Sequence, residues 1–319
     1  MAAMRRGDFA AAWTISDAVL AARDPAGRDD PRLPYHRRWV WDGRPFAGAR
    51  ALVRCYHGLG DTIQFARFLP LLRARAASLD LEVQPELMPL LAGLPGPDRL
   101  IPFRLDAPRP PAECDLEIME VPHALRIEPE TLACDVPYLA PPPARVAAAR
   151  ARLGAAAIAV GVCWQAGDWE RVRSVPLALL APILARPGLR LVSLQRGPAA
   201  AEAAALYAPA FVDPLNRSLD ILDTAALIAA LDLVITVDTM VAHLAGALGR
   251  PTWLLLKAAA DWRWMEARAD SPWYPSLRLY RQRCSGDWRE PLAHIAADLS
   301  AAWPQQAAGL SPVAADSPR

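Results

Sequence analysis

Two series of short apolar runs alternating with helical patterns, one opening near residue 49 and the other near residue 157, flank the tripeptide Pro141-Pro142-Pro143. That alternation constrains the fold more than any other feature, because strand, helix, strand successions form parallel sheets covered by helices on both faces. In the first series residues 49–56 (ARALVRCY) read as a buried strand, Gly58-Leu59-Gly60 as a turn and residues 61–77 as a helix. Strands are expected at 79–84, 99–103 and 115–119, with a short helix at 85–91. In the second series strands at 157–164, 189–195, 233–237, 252–256 and 277–280 alternate with helices at 177–185, 198–207, 224–231 and 239–248. A terminal helix runs from about 288 to 303. Consecutive prolines suit neither strand nor helix, so residues 137–143 are the expected boundary between an α/β domain at 39–143 and a second at 144–303. Ligands of such sheets bind at the carboxyl ends of the strands, which makes the cleft between the two domains the default site.

Outside these series, residues 7–23 carry helical spacing that stops at Asp24-Pro25, and residues 24–38 read as a linker. Residues 1–38 are thus a short helical extension, too small to stack into a solenoid by itself. The Ala-, Pro- and Ser-rich residues 304–319 read as a disordered tail. With 53% hydrophobic and 22% charged residues the chain has material for real cores. Lys+Arg 35 against Asp+Glu 34 argues against a nucleic-acid partner, which calls for a basic face. Lys257 is the single lysine; every other basic residue of that count is arginine. The cysteines, Cys55, Cys114, Cys134, Cys163 and Cys284, are scattered and odd in number, which suggests neither a disulfide framework nor a zinc site and fits a reducing cytosol. No signal peptide or membrane span is expected; the most apolar stretch, 221–237, is interrupted by Asp223 and Asp232.

Two segments join a strand to the start of a helix and carry polar groups there. In His57-Gly58-Leu59-Gly60-Asp61-Thr62, Gly58 and Gly60 permit close approach of a ligand, and the helix start offers N–H groups to an anion. Asp61 suits an N-cap, or a base taking a proton from a hydroxyl at the cleft mouth, with His57 as the rival base. In VITVDTMVAHLAGALG, Asp238 or Thr239 caps a helix whose first N–H groups, at Met240 and Val241, face the cleft. His243 lies four residues beyond Thr239 on the same helical face. A capped helix with one packed histidine is the plainer reading of that segment. Trp262, Trp264, Trp273 and Tyr274 could stack on a sugar or base, or pack against the cleft.

Taken in order, GLGDTIQFARFLPLL, RSVPL, SLQRGP, DLVITVDTMVAHLAGALGRPTWLLL and DWRWMEARADSPWYPSLRLYRQ resemble the glycosyltransferase family 9 (heptosyltransferase-like) superfamily over roughly residues 39–300. The chain is most similar to bacterial members that carry tetratricopeptide repeats ahead of the transferase. The resemblance implies a GT-B fold, two Rossmann-like domains facing across a cleft, with acceptor bound by the first domain and nucleotide-sugar donor by the second. It implies an inverting, metal-independent transfer with no cofactor beyond the nucleotide-diphosphate sugar. By the same resemblance Asp61 matches the general base, Arg173 the contact to donor phosphates, and Asp238, Thr239 and His243 the motif that meets diphosphate and sugar. Gln195 and Gly197 fall near the nucleoside. Lys257, at the carboxyl end of the strand after that motif, sits where an ammonium could reach a donor phosphate.

The acceptor implied is a cell-surface glycan, a lipid-linked saccharide or a protein. The implied location is the cytoplasm, with room for peripheral contact at the inner face of the membrane. Two other readings stand beside transfer: a degenerate GT-B scaffold serving as a binding module, and an epimerase of nucleotide sugars.

Overall fold

The computed structural model describes residues 2–23, 33, 41–107, 109–132, 136–154, 158–201, 211–212 and 220–303. Strands β1 (Arg50–Arg54), β2 (Ser78–Val83), β3 (Arg99–Pro102) and β4 (Cys114–Glu117) form one sheet in the order β3-β2-β1-β4, with every pairing parallel. Strands β5 (Ile158–Cys163), β6 (Leu189–Ser193), β7 (Phe211–Val212), β8 (Leu233–Val237), β9 (Thr252–Leu256) and β10 (Leu277–Arg281) form a second. Its order is β10-β9-β8-β5-β6-β7, again parallel throughout. Central strands are apolar along nearly their whole length because both faces are covered: every residue of β8, LVITV, is buried.

Several elements depart from the sequence reading. The helix expected at 61–77 begins at Leu59 and ends at Ala66, and a second short helix, Leu69–Arg73, restarts with Pro70 in its first turn. Proline lacks the N–H that a continuous helix would need there. The helix expected at 224–231 starts at Ile221, because Asp220 caps it by accepting from the Leu222 N–H. Helix Pro143–Leu153 was not expected at all; Pro143 opens it, a place where proline's fixed φ is already helical. Arg145 on this helix pairs with Asp220 and Asp223 at 2.6 and 2.7 Å, tying it to helix Ile221–Ala230. The helix expected from 198 is seen at 198–201, and its remainder lies outside the described residues. The tail at 304–319, all of the linker at 24–38 except residue 33, and Cys134 lie outside them too.

Two short helices, Ala2–Arg5 and Phe9–Ala21, form the described part of the N-terminal extension. They dock on the rest of the chain. The Trp13 indole donates to the Ile127 carbonyl at 2.9 Å, its ring stacks on His123, and the Phe9 ring meets Trp273. Trp273 is fully buried and also touches Phe65, Phe68 and Trp262, so one apolar core runs from the extension through the first sheet to the Trp-rich segment. Burying aromatic area on this scale is what holds the parts in one arrangement. Arg67 adds a polar pin: its buried guanidinium donates to the Leu132 carbonyl at 2.7 Å and the Trp273 carbonyl at 2.5 Å. No described helix is long and apolar enough to cross a membrane.

Candidate functional site

The cleft opens where β1 and β8 deliver their carboxyl ends, and it encloses about 740 Å³. Its first wall is the turn after β1. Gly58 is the N-cap of helix Leu59–Ala66, so Asp61 is its third residue rather than its cap. The Asp61 carboxylate reaches back, with Oδ2 accepting from the Gly58 N–H at 3.0 Å. Its other oxygen pairs with the Arg263 guanidinium. A carboxylate has about four lone-pair sites, so both partners together leave capacity to accept a hydroxyl proton. Gln84, at the end of β2, braces the turn by donating to the His57 carbonyl at 2.9 Å while accepting from Thr62. His57 is more open, its side chain 37% exposed, with Nε2 at 3.8 Å from Glu117 Oε1.

The second wall is the start of helix Met240–Ala247. Thr239 is its N-cap and takes the Val241 N–H at 3.3 Å. Met240 and Val241 both line the cleft beside Thr239. The first turn of a helix leaves N–H groups without helical partners, and the macrodipole adds partial positive charge there. Asp238 is buried, and burial pushes its carboxyl up from the usual carboxylate range against the pull of Arg173. Arg173 Nη1 donates to the Asp238 carbonyl at 2.9 Å and lies 3.6 Å from its carboxylate. Arg173 Nε forms an ion pair with Glu170 at 3.0 Å, and the other oxygen of Glu170 pairs with Lys257. The two cations that the sequence singled out therefore share one carboxylate.

The two walls touch. Gly60 lies so close to His243 that a Cβ there would stand 2.7 Å from the ring and 3.5 Å from the Met240 Cα. The His243 ring is buried, stacks on Trp264, and has Nδ1 3.1 Å from the Tyr274 hydroxyl. Burial, with Arg263, Arg67 and Arg173 nearby, holds its pKa well below the usual value, so the ring is neutral near pH 7. Gln195 also lines the cleft, but its amide is engaged within its own loops: Oε1 accepts from the Trp164 and Gln165 N–H groups, and Nε2 donates to the Gln165 and Arg196 carbonyls. Of the candidates, Asp61, His57, Gly58, Gly60, Arg173, Gln195, Asp238, Thr239, Met240, Val241, His243 and Lys257 all line this cleft; Gly197, with φ 72°, does not.

Residues 191–264 match the model of glycosyltransferase family 9 (heptosyltransferase). Over that segment the chain is similar to glycosyltransferase family 9. It is 31% identical over 321 residues to Protein FlbA of Caulobacter vibrioides, a match covering 89% of this chain and 51% of that protein. The chain thus spans about half the length of the curated relative it matches. The E. coli ADP-heptose lps heptosyltransferase II has the same fold, with a TM-score of 0.54, 17% identity and coverage of 79% of this chain and 98% of that one. A glycosyl transferase family 9 structure from Veillonella parvula gives a TM-score of 0.56 at 14% identity, covering 75% of this chain and 88% of the other. The two parallel sheets with their helices are a GT-B fold, preceded by the helical extension.

Among the charged residues of the cleft that the sequence did not single out, Arg263, Glu170 and Arg5 bear most on its chemistry. Arg263 lies in the Asp261-Trp262-Arg263-Trp264 segment and is buried, with Nε donating to Gln64 at 2.6 Å and Nη1 to Asp261 at 2.9 Å. Burial works against its charge, and the carboxylates of Asp261 and Asp61 outweigh it, so the guanidinium stays charged. Glu170 is the shared partner of Arg173 and Lys257. Arg5 reaches the cleft from the N-terminal helix. An arginine between two tryptophans was the one available signal, since a guanidinium in an aromatic segment can lie on ring faces and, if buried, calls for hydrogen-bond acceptors. Among the described residues, no cluster of three or more His, Cys, Asp or Glu side chains could hold a metal ion.

Proposed function

We propose that this chain is an inverting, metal-independent glycosyltransferase that moves a sugar from a nucleotide-diphosphate sugar to an acceptor hydroxyl. The observation that carries the reading is the direct packing of the Gly58–Asp61 turn on the start of helix Met240–Ala247, which puts a carboxylate and a helix N-terminus on one cleft. The diphosphate sits at that N-terminus, where it competes with Glu170 for Arg173 and Lys257. The acceptor hydroxyl lies on the side of Asp61. As the bond from the anomeric carbon to the phosphate oxygen breaks, the acceptor oxygen forms its bond from the opposite face and its proton passes to Asp61. Fixed cations and the helix dipole stabilise the leaving diphosphate, the role a metal takes in other transferases. In this reading the first sheet serves the acceptor and the second the donor, and the reaction is cytoplasmic, on a glycan, a lipid-linked saccharide or a protein.

ADP-sugars are the first donors to try, since ADP-heptose is named for the E. coli relative. Asp61→Asn keeps the acceptance from Gly58 and removes the base, so transfer falls by about 10²–10⁴ while donor affinity stays near the wild-type value. His57→Gln, by contrast, retains most turnover, and EDTA leaves the wild-type rate unchanged. Full turnover in Asp61→Asn with loss in His57→Gln would move the base to His57. Absence of binding by any nucleotide sugar would favour the scaffold reading instead.

A further inference from the structure

The cations that line the cleft are nearly all spoken for. Arg263 has Asp61 and Asp261, Arg173 and Lys257 share Glu170, and Arg196 reaches Thr224. Arg5 differs. Its Nε is buried without a hydrogen-bond partner, and among the described residues its guanidinium makes no ion pair, although the residue lines the cleft. A charged donor buried without an acceptor is costly, and where it lines an open cleft a ligand anion can complete it.

The position of Arg5 is fixed rather than frayed. Its neighbours Ala3 and Met4 are buried, its carbonyl accepts from the Glu266 N–H at 2.9 Å, and Gly7, at φ 75°, turns the chain against Met265. Helix Ala2–Arg5 thereby lies on the short turn Trp262–Trp264, which also carries Arg263, the partner of Asp61. Arg5 is therefore on the Asp61 side of the cleft, away from the Arg173, Glu170 and Lys257 group beside helix Met240–Ala247.

We infer that Arg5 binds an anionic group, a phosphate or carboxylate, carried by the acceptor, so that the N-terminal helical extension is part of the acceptor subsite. This rests on the transfer reading only in giving the anion to the acceptor. A guanidinium offers a planar, two-pronged donor matched to either anion, and the docked helix spends the ordering entropy before the ligand arrives.

The test is calorimetric titration of the full chain with inorganic phosphate, with ADP present to fill the donor half, for wild type, Arg5→Gln and Arg5→Lys. Saturable phosphate binding to wild type is expected, weakened about tenfold or more in Arg5→Gln and partly kept in Arg5→Lys, with ADP affinity the same in all three. Equal phosphate affinity in Arg5→Gln, or no saturable binding to wild type, would overturn it. Displacement of phosphate by ADP would also overturn it, because the anion would then belong to the donor. If ADP itself fails to bind, the donor reading falls, and the Arg5 dependence of phosphate binding is still scored without nucleotide.

Discussion

Glu117 closes β4 with its Oε2 accepting from the Met119 N–H at 3.1 Å and its Oε1 buried without a hydrogen-bond partner. Burial, then the charge of Glu120, pushes its carboxyl well above the usual 4.5. The folded state thus holds a proton that the unfolded chain has released, and stability falls as pH rises from about 4.5 toward the folded pKa. His243, held neutral by burial, acts in the opposite sense, with stability falling as pH drops below 6.5. Glu117→Gln can still accept from Met119 and no longer titrates. Its stability relative to wild type, measured by urea unfolding at a series of pH values, should therefore increase as pH rises above 4.5. A constant difference across pH would contradict the assignment. Thr239, whose capping of helix Met240–Ala247 follows from local chain geometry, was legible in the sequence as one of two candidate caps. Arg263 was not, because its meaning lies in meeting Asp61, 202 positions away, and spacing carries no trace of such a partner.

At the scale of elements, most strands were legible nearly to the residue: β8 and β9 occupy the expected 233–237 and 252–256, whereas the two-residue edge strand β7 (Phe211–Val212) was not expected. A run of only five residues, rich in β-branched side chains and flanked by turn residues, is too short for a buried helix. Helix starts were less so. Gly58 and not Asp61 caps the first helix, since a carboxylate at the third position can reach back to the cap N–H as well as serve as the cap. Helix Pro143–Leu153 was hidden by the prolines that open it. The contact between the two segments that wall the cleft was invisible for a similar reason: a glycine reads as a turn until its neighbour is known. Gly60→Ala puts a methyl group 2.7 Å from a His243 ring held between Trp264 and Tyr274. The ring cannot yield cheaply, so the substitution should cost about 1–3 kcal/mol in unfolding free energy and lower transfer with it. Wild-type stability in this variant would mean that the two segments are not in contact.

For the whole molecule, net charge +1 conceals a dense local pairing, with five Arg or Lys and five Asp or Glu side chains around one cleft of about 740 Å³. The lone lysine belongs to that group, paired with Glu170. Arg67 and Arg263 cross between the parts of the chain that form the walls, so the cleft is set by buried polar pins as well as by the aromatic core. The two-sheet architecture could be read from the alternation of elements. The docking of the N-terminal helices could not, because it depends on Trp13 and Phe9 finding Ile127 and Trp273. The central claim is that this cleft holds a nucleotide diphosphate at the start of helix Met240–Ala247, and calorimetric titration with ADP-, GDP- and UDP-sugars tests it most directly. Saturable binding of at least one nucleotide sugar, weakened about tenfold or more in Arg173→Gln, is the predicted result; no binding of any, or equal binding by Arg173→Gln, would contradict it.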